Sequence, residues 1–298
     1  MADVLLEGRN LTKHYPVTRG LLQHVVGWES AVDGVSFTIE RGKTLSLVGE
    51  SGAGKTTTAK AVLLLERLTS GTILFEGEDL YKFSSSELKT KYRPRIQYVQ
   101  QNPWSSMNPR MRLRDIIAEP LTTNTKMTKK EIRQRVAEML DNVGLDPQSI
   151  DHYPHEFSGG QRQRIAVARA LGLTPSLVVL DEPVSALDVS ILAQIMNLLK
   201  DLQDKYNLSY MVIAHNLATV RYMSHDVAIM YLGQIVEYGD TEEIFQKPLH
   251  PYTRALISAS MLTLPEDEQE VKQIILTGEM PSRMNPPSGC RFHTRCPE

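Results

Sequence analysis

The stretch Gly49-Glu50-Ser51-Gly52-Ala53-Gly54-Lys55-Thr56 constrains this chain more than any other. It fits the pattern G-x-x-x-x-G-K-[ST]. The apolar run before it, Thr44-Leu45-Ser46-Leu47-Val48, predicts a buried strand, and Thr57 to Leu65 after it predicts a helix. Strand, glycine loop, helix is the context in which this pattern makes a phosphate-binding loop. The glycines let the backbone wrap closely, so that successive N–H groups point inward, and the helix start adds its positive dipole end. Lys55 would reach the β- and γ-phosphates, and the Thr56 hydroxyl would hold Mg²⁺. The loop alone does not choose among kinases, GTPases and ATPases.

A chain of 298 residues, 41% hydrophobic and 23% charged, has room for a sizeable core and about two domains. A net charge of −2 gives no global basic field for nucleic acid. No apolar run approaches the roughly 18 residues that cross a bilayer. The start, Met1-Ala2-Asp3-Val4, lacks the basic and apolar regions of a signal peptide. A cytosolic protein is expected, with any membrane function coming through other chains. Cys290 and Cys296 are the only cysteines and do not make a secreted disulfide framework.

Short strands are predicted at 5–11, 35–39, 71–77, 95–99, 177–180 and 210–214, and a hairpin at 227–237 around Gly233. The polar stretch from Val17 to Ser30 reads as a loop or ribbon. Thr128 and Glu131 form a capping box, followed by an apolar stripe of Ile132, Val136, Met139, Leu140 and Val143, with Gly144 as the stop. A second helix is predicted from Arg162 to Leu171, and a long one from Val189 with Leu192, Ile195, Leu199 and Leu202 on one face. Alternating strands and helices mean an α/β fold with a parallel sheet. No internal repeat is visible, and the tail loses clear periodicity after Met261.

Four further signals carry chemistry. Asp181-Glu182 ends an apolar strand, where one carboxylate can hold Mg²⁺ and the other polarise an attacking water. Ser158-Gly159-Gly160-Gln161 opens a helix and offers an anion site. His215 ends a strand, and Gln101 stands at a strand-to-loop switch. Taken singly they also read as a surface turn, an ordinary N-cap, a structural histidine and a polar loop residue.

Together, in this order and followed through Ser185-Ala186-Leu187-Asp188, they resemble the ATP-binding-cassette family over about residues 5–240. The resemblance implies a P-loop NTPase (RecA-like) core with a mainly parallel sheet and an N-terminal antiparallel β subdomain. It places the nucleotide-binding core at 1–103 and 159–238, a helical insertion at 104–158 and a C-terminal extension at 239–298. It implies Glu182, His215 and Lys55 as catalytic residues: Glu182 the base, His215 the switch on the γ-phosphate. Nucleotide contacts would come from Tyr15 (stacked on adenine), Gly49, Ser51, Gly52, Gly54, Lys55, Thr56, Thr57, Gln101, Ser158, Gly159, Gly160, Gln161 and Asp188. Thr56, Gln101 and Asp181 would ligate Mg²⁺. Two such subunits would sandwich two ATP molecules, the P-loop of one facing Ser158 and Gly160 of the other. A soluble cassette ATPase would carry a longer insertion than the stretch from Gln101 to Phe157, and a non-hydrolysing regulatory subunit would not need both Glu182 and His215.

A narrower resemblance is to the ATPases of oligopeptide and dipeptide importers. It rests on Pro154 to Ile165, Gln101-Asn102-Pro103 with Ser106 to Arg110, Pro183 to Ser190, His250 to Leu256, and Gly289 to Pro297. The segment around Trp28 is similar to the F-type member of their ATPase pair. This implies a homologous second ATPase subunit, two permease subunits and an external substrate-binding protein, with this chain peripheral on the cytoplasmic face of the inner membrane. Related importers take up nickel, glutathione or oligosaccharides, which these motifs do not separate. In some of these ATPases the tail continues with further cysteines for an iron–sulfur cluster. The present sequence stops two residues after Cys296 and is expected to be a truncated form. Cys290 and Cys296 are expected to be two free thiols, and a cluster would form only if the natural chain extends beyond Glu298.

Overall fold

A computed structural model describes residues 3–20, 24–185, 188–261 and 274–298. In chain order they form β1 (Val4–Arg19), β2 (His24–Glu40), β3 (Thr44–Val48), α1 (Lys55–Val62), β4 (Ser70–Phe75), β5 (Glu78–Asp79) and a single turn α2 (Ser85–Glu87). There follow β6 (Ile96–Val99), α3 (Leu113–Asn124), α4 (Lys129–Asn142), α5 (Gly159–Leu171), β7 (Leu177–Asp181), α6 (Val189–Tyr206) and β8 (Ser209–Ala214). The last elements are α7 (Leu217–Met223), β9 (Asp226–Tyr231), β10 (Gln234–Asp240), α8 (Thr241–Gln246) and α9 (Pro251–Met261). The described residues gather into two compact units, one within Met1–Glu40, Thr44–Tyr81 and Val212–Glu298, the other within Arg41–Lys43 and Lys82–Met211.

The first unit carries an antiparallel sheet in the order β2-β1-β4-β5. β1 and β2 pair far beyond the sheet body, with Tyr15 opposite Glu29 and Arg19 opposite His24. The described residues of the stretch predicted as loop or ribbon, 17–20 and 24–30, therefore form a ribbon, and residues 21–23 lie outside the described residues. The sequence hides the ribbon because Val25, Val26 and Trp28 are 53%, 56% and 57% exposed, so no apolar face alternates with a polar one. In the same unit β3 runs parallel to β9, and β10 returns antiparallel to β9. Every residue of β3 is buried, so Thr44 and Ser46 are as enclosed as the apolar residues between and after them, as befits a strand covered on both faces. Helix α1 stops at Val62, short of the predicted Leu65, because Leu64 turns left-handed at φ 53°.

The second unit holds the parallel pair β6 and β7, with Ile96 opposite Leu177 and Val99 opposite Leu180. Helix α4 begins at the predicted capping box: Thr128 Oγ1 accepts the Glu131 N–H at 3.3 Å, and the Glu131 carboxylate accepts the Thr128 N–H at 2.6 Å. Of its predicted stripe, Val136, Met139, Leu140 and Val143 are fully buried and Ile132, in the first turn, is half-buried. Each fully buried side chain contributes about 1.5–3 kcal/mol relative to exposure. Helix α5 begins at Gly159 rather than Arg162, because Ser158 caps it. Of the face its periodicity predicts, helix α6 buries Ile195, Leu199 and Leu202, while Leu192 is half-buried near its start. Parallel pairs joined through helices give the α/β class expected from the sequence.

Candidate nucleotide-binding site

In the first unit the loop from Gly49 to Lys55 joins β3 to α1. Gly49, Gly52 and Gly54 have φ of 153°, 81° and 108°. Two of them are also forced by space. A Cβ at Gly49 would stand 2.2 Å from the Met230 carbonyl oxygen, and one at Gly54 would stand 2.5 Å from that of Ala31. The loop therefore lies flat against β9 and β2 because its glycines have no side chain. Lys55 is only 7% exposed, and its Nζ donates to the carbonyls of Gly49 at 2.6 Å and Glu50 at 2.9 Å. The ammonium is held inside the curl of the loop by these two carbonyls. Ser51 and Thr56 are exposed and Thr57 is half-buried at the start of α1.

Tyr15 is half-buried on β1. Burial pushes its hydroxyl up, the Glu66 charge adds to this, and Thr57 pulls the other way, so the ring stands beside the helix that the loop opens. The Lys13 ammonium covers one ring face at 4.7 Å. His215 lies exposed just after β8.

In the second unit β7 delivers Asp181, buried at its end, and Glu182 just beyond it. Tyr98 donates to Asp181 Oδ2 at 2.8 Å. Burial and the Asp181 carboxylate both push the Tyr98 hydroxyl far up, so it stays a donor. Glu182 has φ 46°, a left-handed conformation that costs a non-glycine residue of order 1–3 kcal/mol. Its carbonyl accepts the Ser185 N–H at 3.3 Å, and its carboxylate accepts the Gln101 amide at 2.7 Å. The strained backbone turns the carboxylate toward the loop after β6. A cavity of about 220 Å³ opens there, lined by Gln101, Trp104, Gly159, Arg162 and Glu182 among others.

Ser158 and Gln161 form a reciprocal cap at the start of α5, the Ser158 hydroxyl accepting the Gln161 N–H at 3.3 Å. Ser158, Gly159 and Gln161 are exposed, whereas Gly160 is buried against α6. A Cβ at Gly160 would meet Ile191 Cγ2 at 2.5 Å, so this glycine is what lets the two helices approach. Asp188 is exposed at the start of α6. Ala186 and Leu187, between Ser185 and Asp188 in the predicted motif, lie outside the described residues.

The structure thus sets Tyr15, Lys55, the loop glycines and the two threonines in one unit. It brings Gln101, Asp181, Glu182 and the Ser158–Gln161 cap into the other. The buried Lys55 and the glycine-shaped curl fit a polyphosphate. The oxygen donors of Asp181, Gln101 and Thr56 are of the hard type that Mg²⁺ takes. Among the described residues no three histidine, cysteine or acidic side chains gather into a metal cluster. Cys290 is exposed and Cys296 half-buried, both as free thiols. Sequence reasoning missed Tyr98, whose hydroxyl aims the Asp181 carboxylate from a neighbouring strand. Tyr98→Phe is expected to lower ATP turnover about ten- to a hundredfold, the size of one hydrogen bond to a charged group. Steady-state phosphate release measures it, and an unchanged rate would show that Asp181 is oriented without Tyr98.

A family model for ABC transporters matches residues 32–185, and one for the oligopeptide/dipeptide transporter C-terminal region matches 236–298. The chain belongs to the ATP-binding-cassette transporter family, whose members hydrolyse ATP to drive transport. It is 49% identical over 295 residues to the oligopeptide transport ATP-binding protein AppF of Bacillus subtilis, covering 99% of this chain and 90% of that protein. It is 50% identical to the dipeptide transport ATP-binding protein DppF of Haemophilus influenzae, covering 98% and 88%. Among solved structures, the ATP-binding cassette MJ0796, a post-hydrolysis dimer bound to ADP and phosphate, superposes with a TM-score of 0.69 at 27% identity. That match covers 80% of this chain and 99% of the other. The C-terminal match falls on the segments singled out in the sequence, around Tyr252 and Arg291 to Pro297. No described helix is long and apolar enough to cross a membrane.

Proposed function

We propose that this chain is the ATP-hydrolysing subunit of an importer for di- and oligopeptides, working with separate membrane-spanning permease subunits. The observation that carries this reading is the presence, in one chain, of the cassette match and the oligopeptide/dipeptide C-terminal match. Near full-length similarity to peptide-transport ATPases supports it.

In this reading residues 1–103 and 159–238 form the nucleotide-binding core, 104–158 a helical segment leading to the Ser158 cap, and 239–298 an extension. Lys55 and the loop N–H groups hold the β- and γ-phosphates, and Tyr15 offers its open ring face to the base. Thr56, Asp181 and Gln101 hold Mg²⁺, which when bound neutralises phosphate charge and orients the γ-phosphoryl group. Glu182 takes the proton of the attacking water, and His215 contacts the γ-phosphate. The exposed Ser158 cap and Asp188 meet the nucleotide held by a homologous second ATPase subunit. A permease pair on the cytoplasmic side of the membrane and an external substrate-binding protein complete the assembly. Nickel, glutathione and oligosaccharides are the competing cargoes. An iron–sulfur cluster would need ligands beyond Cys290 and Cys296 from sequence past Glu298.

The test is reconstitution of the chain with its permeases, partner ATPase and binding protein in vesicles. ATP-dependent uptake of labelled di- or oligopeptides is expected. Uptake of only nickel, glutathione or a sugar would overturn the cargo while leaving the ATPase reading in place.

A further inference from the structure

The phosphate loop has an unusual tether. Glu50 occupies a position that the loop pattern leaves free, yet three of its groups are engaged within the first unit. Its N–H donates to the Tyr252 hydroxyl at 2.9 Å. Its carbonyl accepts Lys55 Nζ at 2.9 Å and the Ala53 N–H at 3.1 Å. Its carboxylate accepts Arg295 Nη1 at 3.0 and 3.2 Å. Tyr252 lies on α9 and Arg295 still later in the chain, so both anchors belong to the C-terminal region.

The anchors are themselves rigid. Tyr252 is fully buried, and the Arg295 side chain is 8% exposed. Tyr252, Phe292 and Tyr231 pack with ring centroids 4.8 to 5.4 Å apart. Arg291, next to Phe292, donates to the Leu232 carbonyl and to Asp33. The aromatic cluster thereby ties the tail to the end of β9, the strand whose Met230 carbonyl the loop lies against.

We propose that Arg295 and Tyr252 are positioning residues that hold the phosphate loop in its binding conformation through Glu50, so that the C-terminal region sets the affinity for ATP. The inference rests on the reading of Gly49 to Thr56 as the ATP-phosphate site. Gly49 and Gly52, on either side of Glu50, both have positive φ, so the loop backbone carries little steric constraint of its own. The tether supplies that constraint. It fixes the peptide whose carbonyl steers Lys55, the cation that meets the phosphates. Without it the loop divides its time among conformations, and apparent affinity falls by the fraction that remains competent.

Binding of a fluorescent ATP analogue to the full chain, and KM and kcat for ATP in the assembled transporter, test this. Arg295→Gln is expected to weaken nucleotide affinity about tenfold, and Tyr252→Phe about threefold, the usual weight of a charge-assisted and a neutral hydrogen bond. Tyr252→Phe keeps the ring in its cluster and changes no charge, so it reads the loop rather than the fold or the local field. In both variants KM rises while kcat stays within about twofold, because bound nucleotide restores the same geometry. Arg295→Lys recovers part of the loss. A lower melting temperature with affinity and KM unchanged in both variants overturns the proposal and leaves a plain tail anchor. A wild-type chain that binds no nucleotide overturns the phosphate-site reading, and this inference with it.

Discussion

Lys55→Ala is expected to weaken ATP binding by at least about a hundredfold. The expectation follows from where the ammonium sits. At 7% exposure it has already left water, and it is held at 2.6 and 2.9 Å from two loop carbonyls that fix its direction. A phosphate entering the curl meets a pre-placed, poorly screened positive charge, worth about 3 kcal/mol or more in such a site. Alanine removes the charge and leaves the carbonyls of Gly49 and Glu50 facing the anion. Isothermal calorimetry with MgATP measures the loss. Micromolar binding by the variant would rule out the assigned role.

Glu182→Gln is expected to lower ATP turnover about a hundred- to a thousandfold while leaving nucleotide binding intact. Glutamine keeps the volume and the contact to Gln101, but its amide cannot take a proton from water, and a positioned general base is worth about that factor. ATP should therefore accumulate in a closed complex with the second ATPase subunit, seen as an ATP-dependent rise in mass by light scattering when the two subunits are mixed. A variant that hydrolyses ATP at the wild-type rate would show that Glu182 is not the base.

Much of the site was legible because its chemistry demands particular residues next to one another. Gly49, Gly54, Lys55 and Thr56 declare themselves by spacing, and β3 and β7 by short runs rich in Leu and Val. The Ser158 and Thr128 caps likewise follow from residues three apart. What was hidden depends on distance along the chain or on backbone alone. The β1–β2 ribbon is made by hydrogen bonds between main-chain groups under exposed Val25, Val26 and Trp28, so side-chain pattern could not reveal it. Helix α8 carried a readable signal in Asp240, whose carboxylate accepts the N–H groups of Glu242 and Glu243 at 2.9 and 3.1 Å. Tyr98 reaches Asp181 across 83 positions, a separation at which spacing says nothing.

The contact between Arg295 and Glu50 joins residues 245 positions apart, and this bears on how the protein is made. A ribosome adds about 5–20 residues each second, so the loop is synthesised roughly 12–50 s before its guanidinium partner. For most of that interval the glycine-rich curl also lacks β9, against which it lies, and throughout it lacks the tail that pins it. A nascent chain therefore reaches full nucleotide affinity only after Arg295 has been synthesised and has left the ribosome. Ribosome-bound intermediates stalled before residue 295 should capture an immobilised ATP analogue poorly, and those stalled well beyond it, on an appended linker, should capture it as the finished protein does.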